Sequence, residues 1–537
     1  MVARGGTVAP REYDAVIIGG GHNGLVCGCY LAQAGVRTLV LERRHVLGGA
    51  AVTEEVFPGF RMSVASYVMS LLSPRVIADL ELVRFGLKVL PANDLFSPLE
   101  DGNHIFLHDD VGKTQAEFTR FSHKDAQAYP AFDAHLKEAT RVVRALLYTT
   151  PVDVSRRDWR AFKGTARLLW QNRRIGRNVY RIVDLLTQSV HDYLSRWFEH
   201  DTIKALLAYY ASIGTFAGPK SPGTAYVLMH HVMGEHSGAG GWGFIRGGMG
   251  AISDAIMASG ARFGLEARTN AAVASVMVRD GAARGVVLAS GEEIPARVVI
   301  SNLNAKFLFQ KLVDRAHVPE DFMVEIDSFR TFSTAFKINA ACDDAPRYRA
   351  FDATKAGFAY PSYVHIGPSI DYLERAYDDA KYGGYSHRPF ITPVVPTFVD
   401  DTLAPPGKHV VNLFGGHAPY ELRNGTWAEH REHFVRNVLG VMDEFAPGFS
   451  SRIIDMQVLL PPDLEDMFTL PQGHIFHGEL LPDQLFFQRP AAHYADYRTP
   501  IRRLYLCGSS AHPGGGVSGI PGYNAAREIL KDRKGWH

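Results

Sequence analysis

The sequence predicts an α/β fold in which a doubly wound, largely parallel sheet is covered by a mixed α+β region. Three observations predict it. A buried strand, a glycine-rich turn, a helix and a second strand follow one another in residues 14–42. A second strand, glycine loop and helix occupy residues 503–526, near the other end of the chain. Residues 271–302, between these units, contain short strands that return the chain to the first one, and such alternation of strands with helices is typical of parallel sheets.

The first unit begins with an apolar run at residues 15–18 that contains no polar residue. Such a run is typical of a strand that is buried on both faces of a parallel sheet. Apolar residues then recur at helical spacing, and Gly35 follows as the residue that ends the helix. A second buried strand, Thr38–Leu41, completes the unit.

The turn of this unit has the spacing of a dinucleotide-binding site. Gly19 permits a tight turn, Gly21 lets the backbone approach a pyrophosphate, and Gly24 lets the helix pack closely on the strand. The N-terminus of the helix offers free N–H groups and a partial positive charge to phosphates. Glu42 follows about twenty residues later, where an acidic side chain accepts hydrogen bonds from a ribose. The unit predicts dinucleotide binding but does not distinguish FAD from NAD.

The composition excludes several classes of protein. The 537 residues suit two or three domains, and a net charge of +1 produces no overall field that attracts nucleic acid. No apolar run reaches the roughly twenty residues of a membrane helix, and the first dozen residues lack the apolar segment of a secretory signal. The cysteines form no redox pair, which indicates buried thiols and a reducing compartment: Cys27, Cys29, Cys342 and Cys507. We expect a cytoplasmic protein, peripheral to a membrane at most, or a matrix protein if the source has mitochondria.

Residues 120–235 form a predicted helical insertion, because apolar residues recur at helical spacing in 128–147 and 179–198. Within it, residues 156–181 combine many arginines and lysines with two tryptophans. One interpretation is a helix that lies on an anionic membrane surface. The other, which we favour, is a solvated face or a subunit contact.

The middle of the chain returns to strands. A glycine-rich loop at 240–250 precedes a helix from Ala251, and turns at 280–281 and 290–291 then separate short antiparallel strands. Residues 306–455 predict a further group of strands, and one of them, at 334–339, contains Lys337.

The C-terminal unit distinguishes the possible cofactors. Residues 503–508 predict a buried strand that runs into a glycine loop, and a helix follows. A second loop of this kind suits a long cofactor, because one helix N-terminus serves the pyrophosphate and the other can stabilise negative charge near flavin N1 and the C2 carbonyl. An enzyme that uses only NAD would not need it. We therefore expect FAD, bound without a covalent link.

A histidine-rich stretch before this unit suggests a metal site at first sight. His474, His477 and Glu479 are close in sequence, but no cysteine accompanies them and no third histidine is near. We predict no metal site. We interpret the neighbouring pair His230 and His231 as structural or cavity-lining residues.

Eight motifs, spread over nearly the whole chain, carry a resemblance to a known family. They are VLERRHVLGGAAVTEE at 40–55, PGF at 58–60, SPLED at 97–101, HHVMG at 230–234, GGMGAISDAI at 247–256, LAPPGKHVV at 403–411, PPDLE at 461–465 and LYLCGSSAHPGGG at 504–516. They resemble the phytoene-desaturase-like flavoproteins of the amine oxidase superfamily.

The resemblance implies a glutathione-reductase-like, Rossmann-type FAD domain and several contacts with the cofactor. The loop of Gly48 and Gly49 would close over the pyrophosphate, and the backbone of Val273 would pair with the adenine. The motif at 504–516 would line the isoalloxazine through four residues: Gly508, Ser509, Gly516 and Val517.

The chain departs from the family pattern at two of these contacts. Ala50 stands where relatives have an arginine against the pyrophosphate, so Arg43 or Arg61 is a candidate to replace it. Ser509 stands where many relatives have an acid that binds the ribityl chain.

We expect a discontinuous FAD-binding domain formed by residues 10–75, 236–310 and 456–537. A substrate domain formed by residues 76–235, which include the helical insertion, and by residues 311–455 would cover the flavin.

The resemblance implies an FAD-dependent oxidoreductase of the desaturase or dehydrogenase type. It would transfer hydride between flavin N5 and an apolar, unsaturated or aliphatic small molecule or lipid. Lys337 resembles a lysine that holds a water against flavin N5 in amine oxidases, although a solvated strand lysine is the alternative. The other acid–base candidates are His512, His231 and Tyr67.

Two other functions stay open at this point. One is a redox-neutral isomerase that uses reduced flavin. The other is a flavin-binding regulatory or scaffold protein with little turnover. A reaction without net oxidation of the substrate would distinguish the first from a dehydrogenase, and a sealed flavin without a substrate channel would favour the second.

Overall fold

The computed structural model describes residues 13–92, 94–153, 155, 178–234 and 242–536. The basic segment 156–181 lies outside these residues except for its last four, so both interpretations of it stay predictions. Residues 240–241 of the middle glycine loop also lie outside them.

The strands alternate with helices in the first part of the chain and cluster in its middle. In chain order they are β1 Tyr13–Ile18, β2 Thr38–Leu41, β3 Thr53–Phe57, β4 Phe60–Ser63, β5 Val89–Pro91, β6 Leu95–Pro98, β7 His104–Leu107, β8 Gly243–Ile245, β9 Glu266–Arg268, β10 Val273–Arg279, β11 Ala282–Leu288, β12 Glu293–Ser301, β13 Phe336–Cys342, β14 Phe390–Val394, β15 His409–Gly416, β16 Ile453–Leu459 and β17 Leu504–Leu506.

The α-helices of the described residues lie between these strands along the chain and after the last of them. They are α1 His22–Gln33, α2 Pro74–Asp79, α3 Val111–Thr119, α4 His123–Leu147, α5 Asn178–Thr187, α6 Val190–Ser195, α7 Asp201–Ala208, α8 Thr224–His231, α9 Gly250–Ala261, α10 Ala305–Phe307, α11 Glu320–Ser328, α12 Ala353–Ala356, α13 Ile370–Lys381, α14 Trp427–Phe445, α15 Pro461–Phe468 and α16 Ile520–Lys531.

Seven of the described strands form one sheet in the order β10-β11-β12-β1-β2-β9, with β17 also paired to β12. The pairs of β1 with β12 and β2 are parallel, and Ala15 lies opposite both Val298 and Thr38. The first half of β12 pairs antiparallel with β11, whereas its second half lies between β1 and β17. The predicted meander and return strand are therefore confirmed, and so is the doubly wound α/β fold class.

Four further described strands form an antiparallel sheet in the order β14-β15-β13-β16. In it Lys337 lies opposite Phe414 and Leu459. The seven strands of the larger sheet all fall within the three segments expected for the FAD domain. Strand β16 crosses the expected boundary between residues 455 and 456, and the domain boundaries themselves stay predictions.

The two segments of the insertion in which apolar residues recur at helical spacing are helical in the structure. The expected helix over 128–147 lies within α4, which Ser122 caps by accepting a hydrogen bond from the Asp125 N–H. The segment 179–198 contains two helices, α5 and α6. Ser189 separates them, since its hydroxyl caps α6 through the Asp192 N–H, and a capping residue has non-helical backbone angles.

Helix α1 is packed so closely between α9 and α16 that side chains are excluded. A Cβ at Gly522 of α16 would lie 2.1 Å from the carbonyl oxygen of Asn23, and a Cβ at Gly260 of α9 would lie 2.7 Å from Cys29 Sγ. The four cysteines are buried and free, as predicted. No helix in the described part of the chain has the length and apolar character needed to cross a membrane.

The contact between α1 and α16 gives a test of the fold. We expect Gly522→Ala to destabilise the protein by about 1–3 kcal/mol, because a methyl group would collide with backbone that has no room to move. The control is Gly440→Ala on the exposed face of α14, where no atom lies within 4 Å, and which should stabilise by about 0.5–1 kcal/mol. Thermal unfolding of both variants measures the difference. Equal unfolding temperatures would contradict the close helix contact.

Candidate active site

A cavity of about 480 Å³ runs along the carboxyl ends of the central parallel strands, where doubly wound folds bind their ligands. We call it the main cavity. Its polar end lies at Glu42 and Arg44, just after β2. Its apolar end is formed by aromatic residues from several parts of the chain: Tyr67, Trp242, Phe414 and Phe476.

The first glycine turn forms one wall of the main cavity. Gly19 has a φ of +95°, and a Cβ at Gly21 would lie 2.8 Å from Asn302 Nδ2. Both glycines line the cavity, so the backbone there is open to a ligand. Gly24 does not line it, and a Cβ at Gly24 would lie 2.5 Å from the Gly19 carbonyl oxygen, which agrees with a packing role.

A second loop lies against this turn, as the pair Gly48 and Gly49 led us to expect. The Gly48 N–H donates to the Gly20 carbonyl at 2.9 Å. A Cβ at Gly49 would lie 3.1 Å from Gly21 Cα, and both residues of the pair line the main cavity. The two backbone segments thus enclose the position at which the phosphates of a dinucleotide would lie.

Glu42 is buried at the end of β2, with its carboxylate held by backbone N–H groups. Oε2 accepts from Gly20 at 2.8 Å, and Oε1 accepts from Arg44 at 2.9 Å. These bonds fix the carboxylate at the cavity wall, and its free lone pairs can accept hydrogen bonds from ribose hydroxyls. Val273 also lines the polar end.

The arginines of this region do not have the predicted arrangement. Arg61 does not line the main cavity, so the structure gives no support to its proposed contact. Arg43 does line it, but its guanidinium is exposed and donates to the carbonyls of Asp466 and Met467 at 2.6 and 2.7 Å.

Arg44, which the sequence did not single out, is better placed than either. It lines the cavity and pairs with Glu54 at 2.6 Å, and its Nη1 is buried with no partner among the described atoms. The only signal in the sequence was its position two residues after Glu42.

The C-terminal loop contributes three of its four predicted residues. Ser509, Gly516 and Val517 line the main cavity, and the Ser509 hydroxyl accepts from Asn23 Nδ2 at 3.1 Å. Gly508 does not line it. A Cβ at Gly508 would lie 2.4 Å from the Asn302 carbonyl oxygen, so this glycine is needed for backbone packing.

His231 and Tyr67 are the two predicted acid–base residues that line the apolar end. His231 Nδ1 lies 2.8 Å from the Val227 carbonyl, so this nitrogen carries the proton and Nε2 keeps its lone pair. Nε2 has no partner among the described atoms, and burial lowers the pKa of His231 to about 4. At neutral pH the residue is thus a neutral proton acceptor.

Tyr67 is held in its protonated form, because burial raises the pKa of its phenol well above the usual range. Its ring lies 5.3 Å from that of Phe414, centroid to centroid.

Lys337 lies behind this aromatic pair. Its ammonium donates to the Ser63 carbonyl and lies 5.1 Å from the Tyr67 ring centroid, and it does not line the cavity. The alternative of a solvated lysine is wrong, since the residue is 2% exposed and burial lowers its pKa well below the usual range.

His512 lies away from the main cavity. Its Nε2 lies 3.2 Å from the Leu146 carbonyl, and its ring packs near Phe486. A direct catalytic role for His512 is therefore not supported by its position.

The residues of the apparent metal stretch have other partners. His474 Nδ1 accepts from the N–H groups of Phe476 and Gly478 at 3.2 and 3.3 Å. Glu479 pairs with Arg330 at 2.9 Å. No cluster of three potential metal ligands occurs within the described ranges.

The cavity wall contains polar groups that a ligand would satisfy. Besides Arg44 Nη1 and His231 Nε2, four buried atoms of lining residues have no partner in the described structure: His22 Nε2, Asn23 Oδ1, Trp242 Nε1 and His477 Nδ1. Buried polar atoms in native proteins nearly always have partners, so these atoms indicate a bound group. The residues present therefore fit a long cofactor with polar and aromatic parts.

A ligand of mononucleotide size would need only one glycine turn, whereas the main cavity reaches both of them. Fold and cavity together define a protein of the doubly wound, dinucleotide-binding class. The chain belongs to the family of flavin-containing amine oxidoreductases, whose family model matches residues 24–530. It is thus a flavin-dependent oxidoreductase, and the resemblance noted in its motifs is confirmed.

Individual relatives match over nearly the full chain. Pyridine nucleotide-disulfide oxidoreductase domain-containing protein 2 of Rattus norvegicus is 42% identical over 97% of this chain and 94% of its own. One of the subunits of limonene dehydrogenase from Castellaniella defragrans is 26% identical, with 97% and 95% covered. Phytoene desaturase (lycopene-forming) of Pseudescherichia vulneris is 24% identical, with 94% and 96% covered. Among solved structures, an oxidoreductase from Methanosarcina mazei shares the fold at a TM-score of 0.59 and 17% identity, with 96% and 99% covered.

Eight histidines of the described chain predict sensitivity to acid. Burial lowers their pKa values to about 3 or about 4: His22, His230, His231, His365, His417, His474, His477 and His512. Each of them takes up a proton near pH 6.5 only after unfolding. Their contribution to the free energy of unfolding is therefore fully present above that pH and is lost as the pH falls toward 4. We expect the unfolding temperature to fall by roughly 10 °C or more between pH 7 and pH 5.

A pair of variants checks this cause. His365 stacks on Tyr209 at 3.9 Å, so His365→Phe keeps the ring contact and should reduce the proton uptake on unfolding by about one. The control is Val324→Ala, at a position that is 59% exposed and carries no titratable group, and it should leave the pH profile unchanged. A profile for His365→Phe that matches the wild-type curve would count against this explanation.

Proposed function

We propose that the protein is an FAD-dependent oxidoreductase that transfers hydride between flavin N5 and a carbon atom of an apolar, unsaturated or aliphatic substrate. The observation that carries the proposal is the distribution of charge in the main cavity. Its charged lining residues all lie toward the polar end: Glu42, Arg43, Arg44, Glu465 and Asp466. The apolar end offers aromatic rings and a neutral histidine, which suit a substrate without charge.

FAD is supported over a smaller flavin by the two ends of the cavity. Glu42 and Val273 would hold the ribose and adenine, and Gly516 and Val517 would face the isoalloxazine. No attachment is needed for such a ligand, because most of its length is enclosed by the two glycine loops. When bound, FAD supplies an acceptor for hydride at N5.

The chain's own residues would handle the substrate and the proton. The rings of Tyr67, Phe414 and Trp242 exclude water and position a flat or extended apolar chain. Loss of hydride from one carbon makes the C–H bonds of its neighbour strongly acidic. The lone pair of His231 Nε2 accepts that proton, and the electron pair left behind forms the carbon–carbon double bond. A weak base suffices, which agrees with the lowered pKa of His231.

The names of two relatives support this substrate class. Limonene and phytoene, which stand in the names of limonene dehydrogenase and phytoene desaturase, are unsaturated hydrocarbons. Neither contains a group that needs a charged partner.

Arg44 gives a test of the cofactor site. We expect Arg44→Met to weaken FAD binding about 10- to 100-fold, because a buried guanidinium N–H would lose a charge-assisted hydrogen bond to the ligand. Arg43→Met is the matched control and should change the affinity by less than about threefold, since the Arg43 guanidinium already binds carbonyls at the surface. Titration of the apoprotein with FAD, followed by flavin fluorescence, measures both. A larger loss for Arg43 would reverse the assignment.

The reaction is tested by anaerobic mixing of the flavin-loaded protein with limonene-like and longer isoprenoid hydrocarbons. We expect bleaching of the long-wavelength flavin band together with a desaturated product. His231→Gln should lower the rate of bleaching about 10²- to 10⁴-fold with FAD still bound, because the proton acceptor is lost.

His512→Gln is the control for this experiment, since His512 lies outside the main cavity and glutamine can still donate to Leu146. A product of unchanged composition with a shifted double bond would favour the isomerase instead. A flavin that no apolar compound reduces would contradict the proposal.

A further inference from the structure

A second cavity of about 120 Å³ adjoins the main cavity, and Trp242 lines both of them. We call it the side cavity. It lies between helix α4 and strands β6 and β7, and its inner wall is apolar and buried: Tyr129, Phe132, Leu136, Leu207 and Leu228. The predicted acid–base residues do not take part in it.

Trp242 lies where the two cavities meet, and hydrogen bonds hold its backbone on the C-terminal side. Its carbonyl accepts from the Ala92 N–H at 3.3 Å, and the next residue, Gly243, exchanges two hydrogen bonds of 2.9 Å with Met69. The indole ring stacks on Tyr363 at 5.5 Å and lies 5.8 Å from Tyr210. The indole is therefore the side chain at which the two spaces meet.

The main cavity has little room for a substrate once a flavin is bound. Its 480 Å³ is within the range of roughly 300–1,000 Å³ that holds a drug-sized ligand, and FAD is larger than such a ligand. If FAD extends from Glu42 to Val517, the apolar end can take only the reacting part of a substrate. The remainder must pass into adjoining apolar space, and the side cavity provides it.

The mouth of the side cavity carries an excess of negative charge. His108 Nδ1 lies 2.7 Å from Asp94 Oδ2, and Asp133 pairs with Lys137 at 2.7 Å. The carboxylate of Asp109 adds a further acceptor, and partial burial together with the nearby Asp94 raises the pKa of Asp109. Such a rim favours a group that donates hydrogen bonds over a carboxylate.

We propose that the side cavity holds the distal part of an elongated apolar substrate whose end group, at the rim of Asp94 and Asp109, is a hydrogen-bond donor such as a hydroxyl. This inference rests on the proposed function and specifies its substrate. The ring of Trp242 then lies beside the substrate at the point where its reacting part ends and its distal part begins.

The first experiment fills the side cavity. Ala92→Trp adds a large ring to its wall without touching the main cavity, and Ala134→Trp places the same ring on the exposed side of α4. KM and kcat are measured for a short isoprenoid hydrocarbon and for one of twice its length. We expect Ala92→Trp to raise the ratio of KM for the long substrate to KM for the short one at least about tenfold, with Ala134→Trp unchanged. An equal change for both substrates would overturn the proposal.

The second experiment tests the end group. A hydrocarbon, its terminal alcohol and the corresponding carboxylic acid, all of the longer chain length, are compared on the flavin-loaded protein by the spectral shift of the oxidised flavin on binding. We expect the alcohol to bind about tenfold more tightly than the acid and Asp109→Asn to reduce this difference. Equal binding of alcohol and acid would overturn the assignment of the rim.

The two proposals fail in different ways. If no apolar compound of either length reduces the wild-type flavin, the proposed function is wrong. If the short hydrocarbon reduces it but chain length and Ala92→Trp have no effect on KM, the proposed function stands and the side cavity is not part of the substrate site.

Discussion

Three strands, β1, β12 and β17, end side by side, and the turns after them approach so closely that no Cβ fits between them. Asn302, at the end of β12, donates from Nδ2 to the Gly19 carbonyl at 3.3 Å, and its own carbonyl lies 2.4 Å from where a Cβ of Gly508 would be. This contact brings two glycine turns, about five hundred residues apart in sequence, to one cavity. Helix α1 begins at His22, which lines this cavity, and α16 begins three residues after Val517, so both N-termini can stabilise negative charge on a ligand there.

A second constraint acts on the apolar end. The guanidinium of Arg489 is fully buried and donates to the carbonyls of five residues: Phe476, Gly478, Glu479, Gln484 and Ser509. Burial lowers the pKa of Arg489 to about 9, which shows the cost of keeping a charge there. The carbonyl dipoles offset part of this cost, and in return one side chain fixes the segment that carries Phe476 to the second glycine loop. The aromatic wall is thus held in register with the cofactor site.

The sequence was sufficient to predict those parts of the structure that depend on local patterns. The strand, turn and helix from Gly19 to Glu42 follow from glycine spacing and apolar periodicity, because each of these features acts within a few residues. The sequence was not sufficient to predict the environment of a residue that is set by partners distant in the chain. Lys337 is buried because Ser63 and Tyr67 close over it, and Gly508 is needed because Asn302 lies against it. His231 and His512 could not be ranked from sequence, since which of them faces the cavity is set by the packing of α8 and the C-terminal loop.

The environment of His231 is compatible with the proposed dehydrogenase reaction and also with the isomerase reaction that the sequence left open. Burial disfavours the charged imidazolium, so the neutral residue accepts only a proton that has become strongly acidic. The same pKa of about 4 makes the imidazolium, once formed, a strong acid that can return a proton to a double bond. One residue in an apolar site can therefore act in either direction. The position of Nε2 allows it both to remove a proton from the substrate and to return one. Which reaction occurs therefore depends on whether the substrate also gives up a hydride.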